Sequence, residues 1–184
     1  MDERGFIAVD NQQRTGVPHI FAIGDVVGQP MLAHKAVHEG KVAAEVAAGH
    51  KRFFDAKLIP SVAYTDPEVA HVGLYPREAE EKGIAVDTIT VAMNTVDRAI
   101  LEGDDDGFLD VYVKKGTDEI LGATMVCRHA GDMISEITVA MAAGAGLGTI
   151  ARTIHPYPTQ AEAIKIAGDA YNRTRLTPRV QKIF

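Results

Sequence analysis

The sequence predicts an α+β protein: an antiparallel sheet with helices gathered on one side, preceded by a partial α/β unit. Three observations carry this. Short β-like runs dominate residues 62–126 and include a hairpin pattern. Helical spacing collects toward the C-terminal end. The order is strands, helix, strands, then helices, without the strict alternation of a parallel sheet.

In chain order, Gly5 to Val9 alternates weakly and reads as a short strand, and Arg14 to Pro18 as a loop. His19 to Ile23 is an apolar run of strand length, stopped by Gly24-Asp25. Pro30 then precedes a helix over Met31 to Ala48, with Leu32, Val37, Val42 and Val46 as its inward positions and Gly49 as its stop. One strand-loop-strand-helix unit is too small to bury a core alone. Residues 49–60 form a connector, so the chain divides into 1–55 and 58–184.

The second segment opens with strands at Val62 to Tyr64 and Val69 to Leu74, separated by the turn signal Thr65-Asp-Pro-Glu68. Pro76 to Lys82 is a short acidic helix ending at Gly83, and Val86 to Met93 is a strand. Phe108 to Lys114 and Ile120 to Val126 flank Gly116 and form a hairpin. Met133 to Ala143 and Thr159 to about Tyr171 are helices.

Apolar residues make up 46% of the 184, enough for a sizeable core. The net charge of -6 argues against a nucleic-acid surface, which needs a basic stripe. No apolar run approaches the ~20 residues of a membrane helix. The charged start, Met1 to Arg4, lacks a signal-peptide pattern. The expectation is a soluble, cytoplasmic protein with no membrane partner and no metal site. The single cysteine, Cys127, excludes an intrachain disulfide and reads as a buried small hydrophobe.

Three places hold candidate chemistry. Asp25 follows a strand-terminating glycine, where open α/β sheets bind ligands. It reads either as an acceptor for sugar hydroxyls or as a turn residue capping its own backbone. Met31, Leu32 and Ala33, with His34 behind them, open a helix whose first N–H groups favour an anion or an electron-rich carbonyl. An ordinary proline-initiated helix has the same pattern. Finally, His155, Tyr157 and Glu162 lie within eight residues bent by Pro156 and Pro158. They form either a general acid/base with an orienting carboxylate or a Thr159/Glu162 capping box at a helix start.

A family resemblance bears on all three. Residues 4–73 resemble dihydrolipoamide dehydrogenase in Arg14-Thr-x-Val-Pro18, Ala22-Ile-Gly-Asp-Val26, Pro30-Met-Leu-Ala-His-Lys-Ala36, Glu39-Gly40 and Pro60-Ser-Val-x-Tyr-Thr-x-Pro-Glu-Val69. From about residue 74 the chain is similar to the mercuric-reductase-like branch. The stretches are Glu80-Glu-Lys-Gly83, Val96-Asp-Arg-Ala-Ile100, His129-Ala-Gly-Asp-Met-Ile-Ser-Glu136, His155-Pro-Tyr-Pro-Thr-Gln-Ala-Glu162 and Ala170-Tyr-Asn-Arg-Thr-Arg-Leu-Thr-Pro178. Both belong to the class I pyridine nucleotide-disulfide oxidoreductases.

The resemblance implies that residues 1–55 are the C-terminal remnant of an FAD-binding domain, and 58–184 a dimerisation domain. Asp25 would bind the ribityl or phosphate region of FAD, and Met31, Leu32, Ala33 and His34 the flavin ring edge. The 155–162 segment would serve the other subunit of a homodimer, so His155, Tyr157 and Glu162 would act only in the full-length dimer. Met133, Ile134, Ile137, Met141 and the small run 142–146 are expected at the two-fold contact, the alternative being that this helix only covers its own sheet.

Two departures stand out. The family's acid/base histidine position holds Tyr157, whose ordinary pKa near ~10 makes it a poor base at pH 7. The mercuric branch's C-terminal cysteine pair is absent from Val180 to Phe184. The chain also contains no Gly-x-Gly-x-x-Gly and no Cys-x4-Cys. FAD and NAD(P) belong to the full-length family, and the chain alone is expected to bind neither. One reading is therefore part of a flavin-dependent NAD(P)H disulfide oxidoreductase, partnered by a missing FAD/NAD portion. The other is a non-catalytic homodimerisation module or a truncated gene product.

Overall fold

A computed structural model describes residues 1–176. Thr177 and Pro178 of the resemblance, and the cysteine-free segment Val180 to Phe184, lie outside the described residues. The chain forms two compact units, Met1–Ile59 and Pro60 onward.

In the N-terminal unit the one long element is α1, Ala33–Ala47. Neither expected strand forms. Residues 5–9 and 19–23 carry scattered bonds rather than a ladder, among them an isolated bridge between Arg14 and Phe21, Ala22 N–H to the Gln13 carbonyl at 3.1 Å, and Ile7 N–H to the Val26 carbonyl at 2.8 Å. An apolar run becomes a strand when neighbours pair with its backbone, and this unit supplies no ladder. Gly24–Val27 is a single 3-10 turn. Helix α1 begins two residues later than expected, and Val37 faces outward at 61% exposed. Its inward stripe is Lys35, Glu39, Val42 and Val46, spaced i, i+4, i+7 and i+11.

The second unit is built on five antiparallel strands: β1 (Ser61–Ala63), β2 (Glu68–Gly73), β3 (Val86–Ala92), β4 (Phe108–Lys114) and β5 (Ile120–Cys127). Their spatial order is β1-β2-β5-β4-β3. Register aligns one face into a continuous apolar row. Ala70 and Leu109 both oppose Met125, and Val72 and Val111 both oppose Ala123. All six are fully buried. Helix α4 (Ala130–Ala142) packs on β1, β2 and β5, and α6 (Glu162–Thr174) on β3 and β4. Ile134, Ile137 and Ile164 are sealed in this core, each stabilising by about 1.5–3 kcal/mol. Three short helices complete the unit: α2 (Pro76–Glu81), α3 (Asp97–Glu102) and α5 (Leu147–Arg152).

This packing corrects part of the expected two-fold patch, while Met141 stays half-buried and Ala142, Ala143 and Gly144 stay exposed. Met133, Ile134 and Ile137 are spent on the unit's own sheet, leaving Val139, 67% exposed, as the large apolar side chain α4 offers outward. Cys127 is fully buried, and burial, aided by the charge of Glu68, pushes its thiol up to about 12. That is an inert, small core residue. Gly73 ends β2 at a φ of +82°, and a Cβ there would meet the Leu121 carbonyl oxygen at 2.3 Å.

The opposite sheet face is polar. Tyr112 donates its hydroxyl to Thr124 at 2.9 Å, and Thr124 faces His71 Nδ1 at 2.9 Å. The Gly73 carbonyl only accepts, so His71 Nε2 carries the proton at 3.1 Å. Tyr75, just before α2, stacks on the His71 ring at 3.6 Å.

Candidate functional site

The candidates fall into two groups, one in each unit. In the first unit Asp25 sits in the 3-10 turn with its side chain exposed. Its position is set by a buried charge pair that the sequence reading missed. Glu39 accepts Lys35 Nζ at 2.6 Å and the Gly24 N–H at 2.7 Å. Lys35 and Glu39 side chains are 6% and 3% exposed. Buried charges persist only when paired and hydrogen-bonded, so this contact pins the turn to α1. The available signal was two opposite charges four residues apart on the stripe that continues into Val42 and Val46.

Because α1 starts at Ala33, Met31 and Leu32 precede the helix, and Ala33 and His34 form its first turn. The Met31 N–H bonds the Gln29 side chain at 3.2 Å. An exposed carboxylate and a helix start bracketing residues 24–34 fit the hydroxyl and ring-edge contacts expected for a flavin. The remaining flavin contacts, above all a pyrophosphate cradle, have no counterpart in this unit.

In the second unit the residues 153–161 link α5 to α6. His155 lies 2.7 Å from Glu136 on α4 through Nε2, and its Nδ1 bonds the Thr153 carbonyl at 3.0 Å. Burial opposes charging of this ring, but the Glu136 and Thr153 hydrogen bonds and the Glu136 charge outweigh it and raise the pKa. Tyr157 is 68% exposed and donates its hydroxyl to Asp97 at 2.8 Å. That bond and the Asp97 charge push the phenol's pKa upward. Glu162 opens α6.

The three residues therefore do not form one acid/base unit: the carboxylate that orients His155 is Glu136. The expected capping box is also not formed. The Thr159 hydroxyl turns to the Pro156 carbonyl at 3.0 Å, drawn there by the proline-bent loop. Gln160, 7% exposed, gives its amide to Glu102 at 2.7 Å, and Glu102 also holds Arg98. Beside them lies an open depression of about 340 Å³, lined by Arg98, Glu102, His129, Pro158, Thr159 and Gln160. It does not enclose a ligand as small-molecule sites do. Asp97, Glu102 and Glu136 lay in stretches whose roles no spacing rule announces. Among the described residues, no His, Cys, Asp and Glu side chains gather as a metal site, and no helix is long and apolar enough to cross a membrane.

Comparison with known proteins bears on both groups. The family described as pyridine nucleotide-disulphide oxidoreductase, dimerisation domain, matches residues 59–167. A second, pyridine nucleotide-disulphide oxidoreductase, matches residues 1–40. Dihydrolipoyl dehydrogenase from Vibrio cholerae is 48% identical over 174 residues, 95% of this chain and 37% of the relative. The Geobacillus stearothermophilus enzyme of that name is 47% identical over 162 residues, 88% of this chain and 34% of the relative. Among solved structures, the HOCl-induced flavoprotein disulfide reductase RclA from Escherichia coli superposes with a TM-score of 0.86 at 26% identity, covering 92% of this chain and 39% of its own. LpdA from Mycobacterium tuberculosis superposes with a TM-score of 0.81 at 26% identity, covering 90% of this chain and 36% of its own. The chain thus spans little more than a third of the length of these relatives.

Proposed function

The chain belongs to the pyridine nucleotide-disulphide oxidoreductase family, through its dimerisation domain, and from that premise we propose that it is the C-terminal part of an FAD-dependent NAD(P)H disulfide oxidoreductase of the dihydrolipoyl dehydrogenase type. Residues 1–55 contribute to the FAD domain, and 58–184 form the interface of a homodimer. One observation carries the reading: both candidate groups fall inside the matched stretches, Asp25 and Met31 to His34 within 1–40 and the 155–162 loop within 59–167.

In the complete enzyme NAD(P)H loses two electrons, and a disulfide gains them with two protons to become two thiols. The flavin, when bound, supplies the two-electron relay between them. Asp25 would accept hydrogen bonds from its hydroxyls, and the start of α1, from Met31 to His34, would hold its ring edge. His155, Tyr157 and Glu162 stand at the partner subunit's site. Tyr157 binds and orders there, since its phenol holds its proton. The redox cysteine pair and the pyrophosphate loop are not among the 184 residues, so the chain alone transfers no electrons.

Sedimentation of the chain at micromolar concentration is expected to give a dimer, and FAD titration a Kd weaker than roughly 1 μM, about -8 kcal/mol. Adding a polypeptide that carries the glycine-rich loop and the cysteine pair is expected to restore flavin binding and NAD(P)H oxidation. Asp25→Ala then weakens the flavin. A strict monomer, or a complemented mixture that binds no flavin, would overturn the proposal.

A further inference from the structure

The loop 155–160 is tied down at three points, and two come from one short helix. Asp97 at the start of α3 takes the Tyr157 hydroxyl at 2.8 Å, and Glu102 at its end takes the Gln160 amide at 2.7 Å. Glu136 holds His155 from α4 at 2.7 Å. Yet large side chains of the link between α5 and α6 point to solvent: Ile154, just before this loop, is 95% exposed and Tyr157, within it, 68%. The held side chains of His155, Tyr157 and Gln160 set the segment before any partner arrives, although the buried Gln160 Oε1 itself has no hydrogen-bond partner.

We propose that α3 is a clamp on this loop, with Asp97 as the positioning residue for Tyr157. Asp97, facing the phenol as a carboxylate, accepts its proton-bearing bond. The phenol is thereby fixed as a neutral group whose hydroxyl hydrogen is engaged. What remains outward is an oxygen lone pair, an acceptor for a donor such as a thiol S–H. The charges facing the phenol are Asp97 on α3 and Glu162 on α6, both negative, so both oppose its ionisation. Asp97 touches no reacting atom and acts only through Tyr157. Glu102 holds the Gln160 side chain in the same way. Arg98, one turn earlier in the same helix, holds Glu102 through Nε at 2.6 Å.

This inference rests on the proposed function only for what the phenol meets in a partner subunit; the clamp itself belongs to the isolated chain. The test uses the 184-residue chain with ring-labelled tyrosine, followed by NMR across an alkaline titration, with Tyr157→Phe assigning the resonance. Asp97→Asn, at an exposed position, is expected to lower the Tyr157 midpoint, and Asp97→Glu to restore it toward the original. Backbone NMR relaxation at His155, Tyr157, Thr159 and Gln160 is expected to show more motion in Asp97→Asn and more again in the Asp97→Asn, Glu102→Gln double variant, while β4 and β5 stay unchanged. An unmoved midpoint, or unchanged motion in the loop, would overturn the clamp. Neither readout involves flavin or activity, so a failed reconstitution leaves the clamp standing, and a failed clamp leaves the family function standing.

Discussion

In the C-terminal unit the sealed positions are nearly all hydrocarbon, from Leu109 and Met125 to Ile137 and Ile164. In the N-terminal unit, under a third of the chain, the buried hydrophobic side chains are Ala22, Val42 and Val46, while Gln13, Lys35 and Glu39 are buried beside them. The first arrangement holds itself together by removing apolar surface from water. The second relies on one ion pair whose desolvation cost offsets much of its attraction. Among the described residues each unit buries an amide oxygen without a hydrogen-bond partner, Gln13 Oε1 in the N-terminal unit and Gln160 Oε1 in the C-terminal one, so this does not separate them. A unit with no strand and little apolar burial draws little stability from its own contacts.

The largest effect should come from separating the two. Residues 60–184 alone are expected to unfold in one cooperative transition, whereas residues 1–59 alone show none. Limited proteolysis of the whole chain should cut first near residues 48–60. Early cutting within 86–127 would reverse the ranking of the two units.

The next effect lies inside the weaker unit. Glu39→Ala strands the buried Lys35 charge and frees the Gly24 N–H, a loss of about 3–5 kcal/mol. Amide protection over α1 should vanish, while β4 and β5 keep theirs. Persisting protection in α1 would mean that this unit has a reserve its contacts do not reveal.

A comparable loss can be aimed at the stronger unit. Gly73→Ala forces a left-handed residue to carry a Cβ against the Leu121 carbonyl, with a cost on the order of 3 kcal/mol. Gly49→Ala, at a φ of +88° with open space around it, keeps only the conformational cost of roughly 1–2 kcal/mol. Urea midpoints of the C-terminal transition should fall for the first and stay fixed for the second.

How legible the two units were in the sequence follows the same physics. The β4–β5 hairpin was readable, with its end one residue short at Val126, because alternation and a glycine turn are local signals. The helices α3 and α5, six residues each, are too short to show a period. The apolar run at His19 to Ile23 has a strand's composition, but pairing is decided by neighbours that composition does not encode. Lys35 and Glu39 were hidden for the opposite reason: charged residues at i, i+4 ordinarily mark a solvent face. At the loop, the residue types His155, Tyr157 and Glu162 were visible. Their partners Glu136 and Asp97 lie 19 and 60 residues away and are fixed only by the fold.

The smallest effect concerns how the stronger unit answers to pH, and it turns on two histidines with opposite shifts. Burial lowers the pKa of His71 below its ordinary value, against smaller contributions from the Gly73 carbonyl, the Glu78 charge and the Ala123 backbone. The unfolded chain therefore binds the proton first, and stability is lost as pH falls below about 6.5 toward the folded value. His155 runs the other way. Burial and Lys165 resist its charge, yet Glu136 and the Thr153 carbonyl raise its pKa. Its stabilisation is fully present below about 6.5 and is lost as pH rises through the folded value. The two losses lie on opposite sides of about pH 6.5, so the urea midpoint of residues 60–184 should pass through a maximum near that pH and fall on either side of it. His71→Gln leaves the His155 slope, and its midpoint should fall toward the alkaline end. His155→Gln leaves the His71 slope, and its midpoint should fall toward the acid end. Two variants sloping the same way would show that one of these rings does not make the contacts described, and the inversion of sign between them is the observation that separates the neutral sheet histidine from the charged loop histidine.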